Sequence, residues 1–146
     1  MQALWRLRLS REVILEQALR IVEEEGITAL TMRRLAVDLR AKASSFYNYF
    51  PDKKSLLADL ADIFTDRLEH HPDPGAAWQD RMRVFAHSFA NITLEHPAAE
   101  QLIQVYARRE RITPHFEIEL EALVQAGFTP NDALNVFMTV ITFSIG

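Results

Sequence analysis

The sequence predicts an all-α protein, and three features of the 146-residue chain support that prediction. Apolar residues recur at spacings of three and four, as they do along one face of a helix. Alternation of apolar and polar residues is almost absent, and so are the Asn-Gly and Asp-Gly pairs typical of hairpins. With 49% apolar and 25% charged residues, the composition suits a globular core. We therefore expect helices along the whole chain.

Composition also excludes several classes of function. The chain has no cysteine, which rules out disulfides, thiol catalysis and cysteine-bound zinc. No apolar run has membrane-spanning length, and residues 1–10 lack the apolar stretch of a signal peptide, so we expect a cytoplasmic protein with no membrane partner. A glycine-rich phosphate loop and a nucleophile elbow are both absent, so we expect no catalytic residues, no cofactor and no enzyme.

Three short segments of the first third are expected to be helices. Ser10 is placed to cap the first, and Gly26 to end it in the left-handed conformation. Thr31 is placed to cap a short second helix, and a third is expected from about Ser44 to Tyr49. Asp52 would then cap a long fourth helix.

Polar or small side chains occupy the outward positions of the expected third helix, while Phe46 and Phe50 point inward. Hydroxyl and amide groups in such positions can reach base edges in the major groove of DNA. Basic residues at the starts of the neighbouring helices would bracket this helix with phosphate-binding groups: Arg33, Arg34, Lys53 and Lys54. The pattern predicts a helix-turn-helix, although a solvated helical hairpin with scattered charge fits it equally well.

Charge is distributed unevenly, which favours the first of these alternatives. Residues 1–55 carry ten Lys/Arg and seven Asp/Glu, a net charge of +3, whereas residues 56–146 carry a net charge of −7. A basic end on an acidic body indicates that one end meets a polyanion. We expect a DNA-binding domain in residues 1–55 and a second helical domain in residues 56–146.

The second domain begins with a Pro-rich linker, His70 to Gly75, followed by a long amphipathic helix from Trp78 that His96 ends. Another helix is expected around Leu102 to Tyr106, and Thr113-Pro114 is expected to be a break or the first turn of the next. Asp59, Asp62 and Asp66 are expected on a solvated face of the fourth helix. The five histidines are likewise expected at the solvated surface, without metal.

The last expected helix, which starts at Thr129-Pro130, is apolar on every side and should be buried all round. Its apolar side chains are Leu134, Val136, Phe137, Met138, Val140, Ile141, Phe143 and Ile145. Either a partner covers this helix or the natural protein continues beyond Gly146.

The run ALTMRRLAVDLRAKASSFYNYFPDKKSLLADL, from Ala29 to Leu60, resembles the DNA-binding segment of the TetR family of bacterial repressors. Positions that match the family pattern are Thr31, Leu35, Ala36, Leu39, Phe46, Tyr47, Phe50, Lys53, Leu56 and Leu57. Two later runs, residues 78–89 and 123–146, resemble the regulatory domain of the tetracycline repressor branch. The resemblance implies an all-α homodimer with a three-helix DNA-binding head, joined by a long fourth helix to a ligand-binding and dimerisation domain. It also implies two or more further helices after Gly146, and we expect the homodimer to form through them.

Several positions depart from the family pattern. Arg40 stands where the family usually has glycine, and Asn48-Tyr49 replaces the usual x-His pair, so the operator sequence cannot be borrowed from a relative. Ile103, Phe85 and Glu69 replace residues with which the tetracycline repressors bind metal and drug. Tetracycline–magnesium is therefore not the expected ligand.

The resemblance and the side-chain chemistry together assign candidate residues. Those expected to contact double-stranded operator DNA are Arg33, Arg34, Lys42, Ala43, Ser44, Ser45, Tyr47, Asn48, Tyr49 and Lys53. Those expected to line a pocket for a small apolar or aromatic effector are Phe64, Arg67, Met82, Phe85, Phe89, Ile103, Tyr106, Phe116, Leu120 and Phe137. Arg67, His87 or Tyr106 would supply a polar group.

Three interpretations follow. The first is a ligand-responsive regulator, expected to be a repressor that an effector releases from a palindromic operator. The second is a constitutive regulator or an activator of the same fold, without an inducer. The third belongs to another class: a small helical enzyme or metal-binding protein that uses His70, His71 and Asp73.

Overall fold

A computed structural model describes residues 8–145, with side chains described as far as Ser144. The described residues form eight α-helices and no strand, which confirms the all-α prediction. Contacts divide the chain into two compact units that meet between Leu60 and Ala61. The domain boundary expected at residues 55/56 remains a prediction. Residues 1–7 and Gly146 lie outside the described residues. Parts of the expectations for residues 1–10 and for the chain after Ile145 therefore concern residues that are not described.

The first unit contains α1 (Arg11–Glu25), α2 (Met32–Asp38), α3 (Ala43–Phe46) and the start of α4 (Lys53–Thr65). The predicted caps are present at three of these helices. The Ser10 hydroxyl accepts a hydrogen bond from the Val13 amide, and the Thr31 hydroxyl accepts one from the Arg34 amide. Asp52 accepts from the Ser55 amide at 2.7 Å. Each cap satisfies an amide that the first turn of a helix leaves without a partner.

The core of this unit comes from one face of each helix. Ile14, Ala18, Ile21 and Val22 of α1 are buried, as their spacing predicts. Phe46 and Phe50 are both fully buried, which confirms their inward orientation. Helices α2 and α3, joined by residues 39–42, form a helix-turn-helix.

Two local details differ from the prediction. The third helix spans Ala43–Phe46 rather than residues 44–49, and residues 47–49 form a turn. Pro51 disfavours the helical conformation at the residue before it, Phe50, so the helix cannot continue through that residue. Gly26 has the expected positive φ of 93°, but its ψ of 167° lies outside the left-handed helical region. Only glycine adopts this combination of φ and ψ readily, so the backbone conformation still requires glycine at position 26.

The second unit contains α5 (Trp78–Glu95), α6 (Ala99–Tyr106), α7 (Arg109–Gln125) and α8 (Pro130–Ile145). Helices α5, α7 and α8 pack against one another, and α6 packs on α5. Helix α7 runs through Pro114, so the prediction of a break or first turn there is wrong. Proline lacks an N–H, so the Glu110 carbonyl loses its helical donor, and the surrounding packing tolerates that loss.

Helix α8 is buried on one face only. Ala133, Phe137 and Ile141, spaced by four residues, are buried, whereas Leu134, Met138 and Phe143 are exposed. Within this chain, packing therefore buries one face of the helix among the described side chains, and the expectation that a partner or further chain covers the rest stays a prediction; the side chain of Ile145 lies outside the described side chains. No helix in residues 8–145 has the length and apolar character needed to cross a membrane.

Candidate functional site

The exposed surface of the helix-turn-helix carries five of the ten predicted DNA-contact residues. Arg33, Lys42, Ser44, Tyr47 and Asn48 are all exposed. Ala43, Ser45 and Lys53 are half-buried, and the remaining two, Arg34 and Tyr49, make contacts within the protein that are described below. The exposed set therefore offers two cations, a hydroxyl, a phenol and an amide on one short segment.

Arg11, which the sequence analysis did not single out, positions this segment. Its guanidinium donates to the Tyr49 carbonyl at 2.8 Å and pairs with Asp59 of α4. It also lies over the ring of Phe50, 4.4 Å from the centroid. The Arg11 side chain, at the start of α1, thus connects the turn after α3 to α4. No local pattern predicts this role, because Arg11 occupies an ordinary exposed position in the first turn of a helix.

Arg34 is engaged within the head. Its guanidinium donates to Glu25 at 2.5 Å and to Asp38 at 3.1 Å, which joins α1 to α2. The hydrogen bond from Arg34 lowers the pKa of Glu25, and the two carboxylates raise the pKa of Arg34. These contacts favour a structural role for Arg34 over the predicted phosphate contact.

Tyr49 is engaged as well. Its hydroxyl donates to the Leu9 carbonyl at 2.9 Å and its ring is half-buried. The predicted phosphate contact would need this hydroxyl to change partner. Tyr47, which is 55% exposed, retains the position that such a contact requires.

Lys53 is the first residue of α4, next to the capping carboxylate of Asp52. The pKa of Asp52 is lowered, because its carboxylate accepts from the Ser55 backbone and side chain. The cap is therefore ionised at neutral pH. Lys53 supplies a positive charge at the same helix start, where a phosphate would also meet the helix dipole.

The predicted acidic face of α4 is not simply solvated. Asp59 pairs with Arg11 in the first unit. In the second unit, Asp62 pairs with Arg108 and Asp66 pairs with Arg111. The prediction of a solvated face is wrong because arginines distant in sequence pair with these carboxylates and neutralise the repulsion between them.

The second unit encloses an aromatic cluster formed by Phe85, Phe116 and Phe137. The ring centroids lie 5.0 to 6.2 Å apart in tilted and edge-on arrangements. All three belong to the predicted pocket. Phe64, Phe89 and Ile103 are also buried, whereas Phe116, Leu120 and Tyr106 are half-buried and Arg67 is exposed.

A separate open cleft of about 420 Å³ lies between α5 and α8. Of the ten predicted pocket residues only Met82 lines it, together with His87, which was predicted as a polar group. The other lining residues are Trp78, Gln79, Arg83, Ala86, Ala90, Val140 and Ser144. Most of the predicted pocket residues thus lie away from this cleft, many of them in the core.

A buried polar network adjoins the aromatic cluster. The Glu119 carboxylate is fully buried; it contacts His70 Nδ1 at 2.6 Å and accepts from Arg81 Nε at 3.3 Å. His70 Nε2 lies 3.0 Å from His115 Nδ1, and the two imidazole planes are parallel within 2°. The prediction of solvated histidines is therefore wrong for His70 and His115. Burial and the neighbouring His70 lower the pKa of His115.

The sequence analysis missed Glu119 and Arg81, although a signal was present. Glu119 lies between Phe116 and Leu123 on the apolar stripe of α7, and Arg81 lies four residues before Phe85 on α5. Opposite charges on the inner faces of two helices are buried at a large cost unless they pair. Such positions therefore predict a buried ion pair.

The network also bears on the metal-binding interpretation. His71 makes local contacts with the Asp73 backbone, and His70 points to Glu119 instead. Among residues 8–145, no group of three or more His, Asp or Glu side chains has an arrangement that could hold a metal ion.

Comparison with known proteins identifies the family. The model for "Bacterial regulatory proteins, tetR family" matches residues 14–60, and that for "Tetracyclin repressor-like, C-terminal domain" matches residues 71–146. The class D tetracycline repressor of Escherichia coli is 30% identical over 143 residues, covering 95% of this chain and 65% of that protein. The chain spans about two thirds of the length of such curated relatives.

Two solved structures are similar throughout. BioQ with its double-stranded DNA operator has a TM-score of 0.77 at 25% identity, covering 94% of this chain and 87% of BioQ. Streptomyces coelicolor ActR in complex with actinorhodin has a TM-score of 0.75 at 25% identity, covering 94% of this chain and 66% of ActR. The predicted family and the regulatory, non-enzymatic interpretation are confirmed: the chain belongs to the TetR family of bacterial regulatory proteins.

Proposed function

We propose that this chain is a ligand-responsive transcriptional repressor that binds a palindromic operator as a homodimer and leaves it when a small, largely apolar effector binds the second unit. The observation that carries the proposal is the exposed polar surface of α3 and the turn after it, held in place by two fully buried phenylalanines. A buried aromatic anchor with polar groups outside suits close approach to a groove.

The proposed contacts follow from exposure and chemistry. Ser44, Ser45 and Asn48 face base edges, where hydroxyl and amide groups distinguish base pairs. Arg33, Lys42, Tyr47 and Lys53 contact phosphates and fix the register. The operator complex of BioQ, a protein of the same fold, supports DNA binding by this chain.

The effector is proposed to bind the second unit near the Phe85, Phe116 and Phe137 cluster. Aromatic side chains with a few polar groups are typical of small-molecule sites. The complex of ActR with actinorhodin, a small molecule, supports an effector of this kind. An effector releases DNA only if it binds the DNA-free conformation more tightly than the bound one.

Selection from randomised duplex DNA tests the proposal. The chain should enrich one palindromic sequence, and the logarithm of the binding constant for it should fall steeply and linearly with the logarithm of the salt concentration. A scrambled duplex of the same length and composition is the control. Absence of any enriched sequence, together with weak salt dependence, would contradict the DNA-binding function.

A further inference from the structure

The side chain of His70 enters the second unit from outside any helix. It belongs to residues 66–77, the connection between α4 and α5, which contains Pro72, Pro74 and Gly75. Its imidazole nevertheless lies against Phe85 of α5 and against His115 and Glu119 of α7. The ring keeps 23% of its surface exposed, so it lies at the boundary between solvent and the interior.

The groups around this imidazole recognise a planar ring with an N–H donor. The Phe85 ring lies 5.4 Å from it, tilted by 35°, and the His115 ring lies parallel to it with centroids 5.3 Å apart. The Glu119 oxygen Oε1 lies 2.6 Å from Nδ1, which requires a proton between them. The second ring nitrogen, Nε2, lies 3.0 Å from His115 Nδ1. The surroundings thus combine aromatic surface, one buried acceptor and a second polar partner.

The charge at this place is already balanced. Arg81 donates to Glu119 Oε2 at 3.3 Å and to the Pro74 carbonyl at 3.0 Å. The buried carboxylate therefore has a cationic partner without His70, and Oε1 needs a donor rather than a second positive charge. Any group that replaces His70 has to bring that donor, because a buried acceptor without one is costly.

His70 can leave this place without disturbing a helix. Its backbone belongs to a non-helical connection, so withdrawal of the side chain breaks no helical hydrogen bond. The connection is anchored just before it, where the Glu69 amide donates to the Ser88 hydroxyl at 2.9 Å. Movement can therefore be confined to His70 and the residues that follow.

We propose that the His70 imidazole occupies the position that a ring of the effector takes when the effector binds; this position between Phe85, His115 and Glu119 is called the seat below. The effector is then a planar, uncharged N–H heteroaromatic compound that displaces the His70 side chain. This inference rests on the proposed function, because it requires the second unit to bind an effector. An aromatic carboxylate is disfavoured, since it would meet the Glu119 carboxylate. A ring without an N–H is disfavoured, since it would leave Oε1 without a donor.

Displacement predicts that the wild type itself binds such a ring, whereas a purely structural histidine would leave the ring a place only after truncation. If His70 competes with the effector, only the fraction of molecules with His70 withdrawn binds it, and the apparent affinity is reduced by that fraction. Removal of the ring should therefore strengthen binding. His71→Ala is the matched control, because His71 lies next in the chain and contacts only the local backbone in the described contacts.

The experiment measures binding of benzimidazole by calorimetry to the wild-type chain, His70→Ala and His71→Ala, at mildly alkaline pH. We expect His70→Ala to bind about tenfold or more tightly than the other two. 1-Methylbenzimidazole, which lacks the N–H, and benzoate, which is anionic, should each bind His70→Ala about tenfold or more weakly than benzimidazole does. Equal affinity of wild type and His70→Ala, or no binding to the wild type, would overturn the proposed seat. Equal affinity for the two benzimidazoles would overturn the donor requirement.

Thermal unfolding covers the case in which His70→Ala folds poorly. Added imidazole should restore the melting temperature of His70→Ala towards the wild-type value, because the free ring refills the seat and donates to Glu119. The wild type and His71→Ala should show no such rise, and lack of restoration in His70→Ala would overturn the proposal. Duplex binding by the wild type is measured separately, so failure of this inference is distinguishable from failure of the regulatory function.

Discussion

Polar side chains on the helix-turn-helix differ in what they already bind. Arg34 and Tyr49 donate to protein acceptors, whereas Arg33, Ser44 and Asn48 are exposed. Residue type alone could not separate Arg33 from Arg34, because the distinction depends on Glu25, nine positions earlier in the chain, and on Asp38. Exposure therefore narrows the candidate contacts to a set that substitution can test.

Asn48 and Lys53 should affect DNA binding in different ways. Asn48→Ala should relax base preference at one position of each half-site, at a cost of about 1–3 kcal/mol if its amide contacts a base edge. Lys53→Ala should weaken binding to all sequences alike and reduce the salt slope by about one. Selection from randomised duplexes for each variant checks both. If Asn48→Ala selects the same bases as the wild type, Asn48 does not contribute to base recognition.

His115 should make stability depend on pH. Burial and the nearby His70 lower its pKa in the folded chain, against an opposing effect of Asp66, and Arg111, Arg81 and Glu119 are the other charged groups around the pair. On acidification the unfolded chain takes up this proton first. Its contribution to stability is therefore complete above a pH of about 6.5 and is lost as the pH falls through the lowered pKa.

Melting temperatures measured across this pH range for wild type, His115→Gln and His87→Gln check the prediction. The wild type and His87→Gln, which replaces an exposed histidine, should both lose stability below about pH 6.5. His115→Gln should lose less. An identical pH profile for all three proteins would show that His115 does not titrate with folding.

The turn between α2 and α3 combines a predictable connection with a backbone feature that sequence did not reveal. Thr31, Leu35 and Ala36 predict the position and inner face of α2, and the structure confirms both. Arg40, by contrast, adopts φ +53°, the left-handed region in which side chains other than glycine are strained. This positive φ explains why the family usually has glycine at this position, since glycine adopts it without strain.

Arg40→Gly should therefore stabilise the chain. Release of a left-handed non-glycine residue gains about 1–2 kcal/mol, and the greater freedom of glycine when unfolded offsets about 0.4–1 kcal/mol of that. We expect a net gain of about 0.5–1 kcal/mol in the free energy of unfolding. Arg40→Ala, which also removes the charge but keeps the strain, is the control. Equal stability of the two variants in denaturant titrations would contradict this explanation.

Sequence predicted most elements of the second unit but not how their inner faces interact. The start of α5, its end at His96 and the stop at Gly127 follow from local signals. Pro114 was misinterpreted because a proline signals a break locally, while the packing of α7 on α5 and α8 overrides it. The His70–Glu119–Arg81 network depends on three segments distant in sequence, and single-helix patterns carry little information about such pairings.

The exposed face of α8 links the chain to its proposed assembly. Leu134 and Met138 are 48% and 49% exposed, and Phe143 is 80% exposed. Leu134 and Met138, four residues apart, share one exposed face of α8, whereas Phe143 lies on the opposite side of the helix. Large apolar side chains exposed on one face of a helix indicate a surface that another protein surface covers. Palindromic operators require two reading heads separated by about 34–36 Å, and a homodimer supplies two heads related by symmetry. Both considerations favour self-association through α8.

Sedimentation equilibrium tests this assignment. The wild-type chain should self-associate, and Met138→Glu should shift it towards monomer, because a carboxylate on that face would lose its hydration on association. Leu94→Glu is the control, since Leu94 is 78% exposed on α5 and equally apolar but lies outside α8. It should associate as the wild type does. A wild-type chain that stays monomeric, or equal association of Met138→Glu and wild type, would place the dimer contact elsewhere. Loss of operator affinity in Met138→Glu but not in Leu94→Glu would tie that contact to DNA binding.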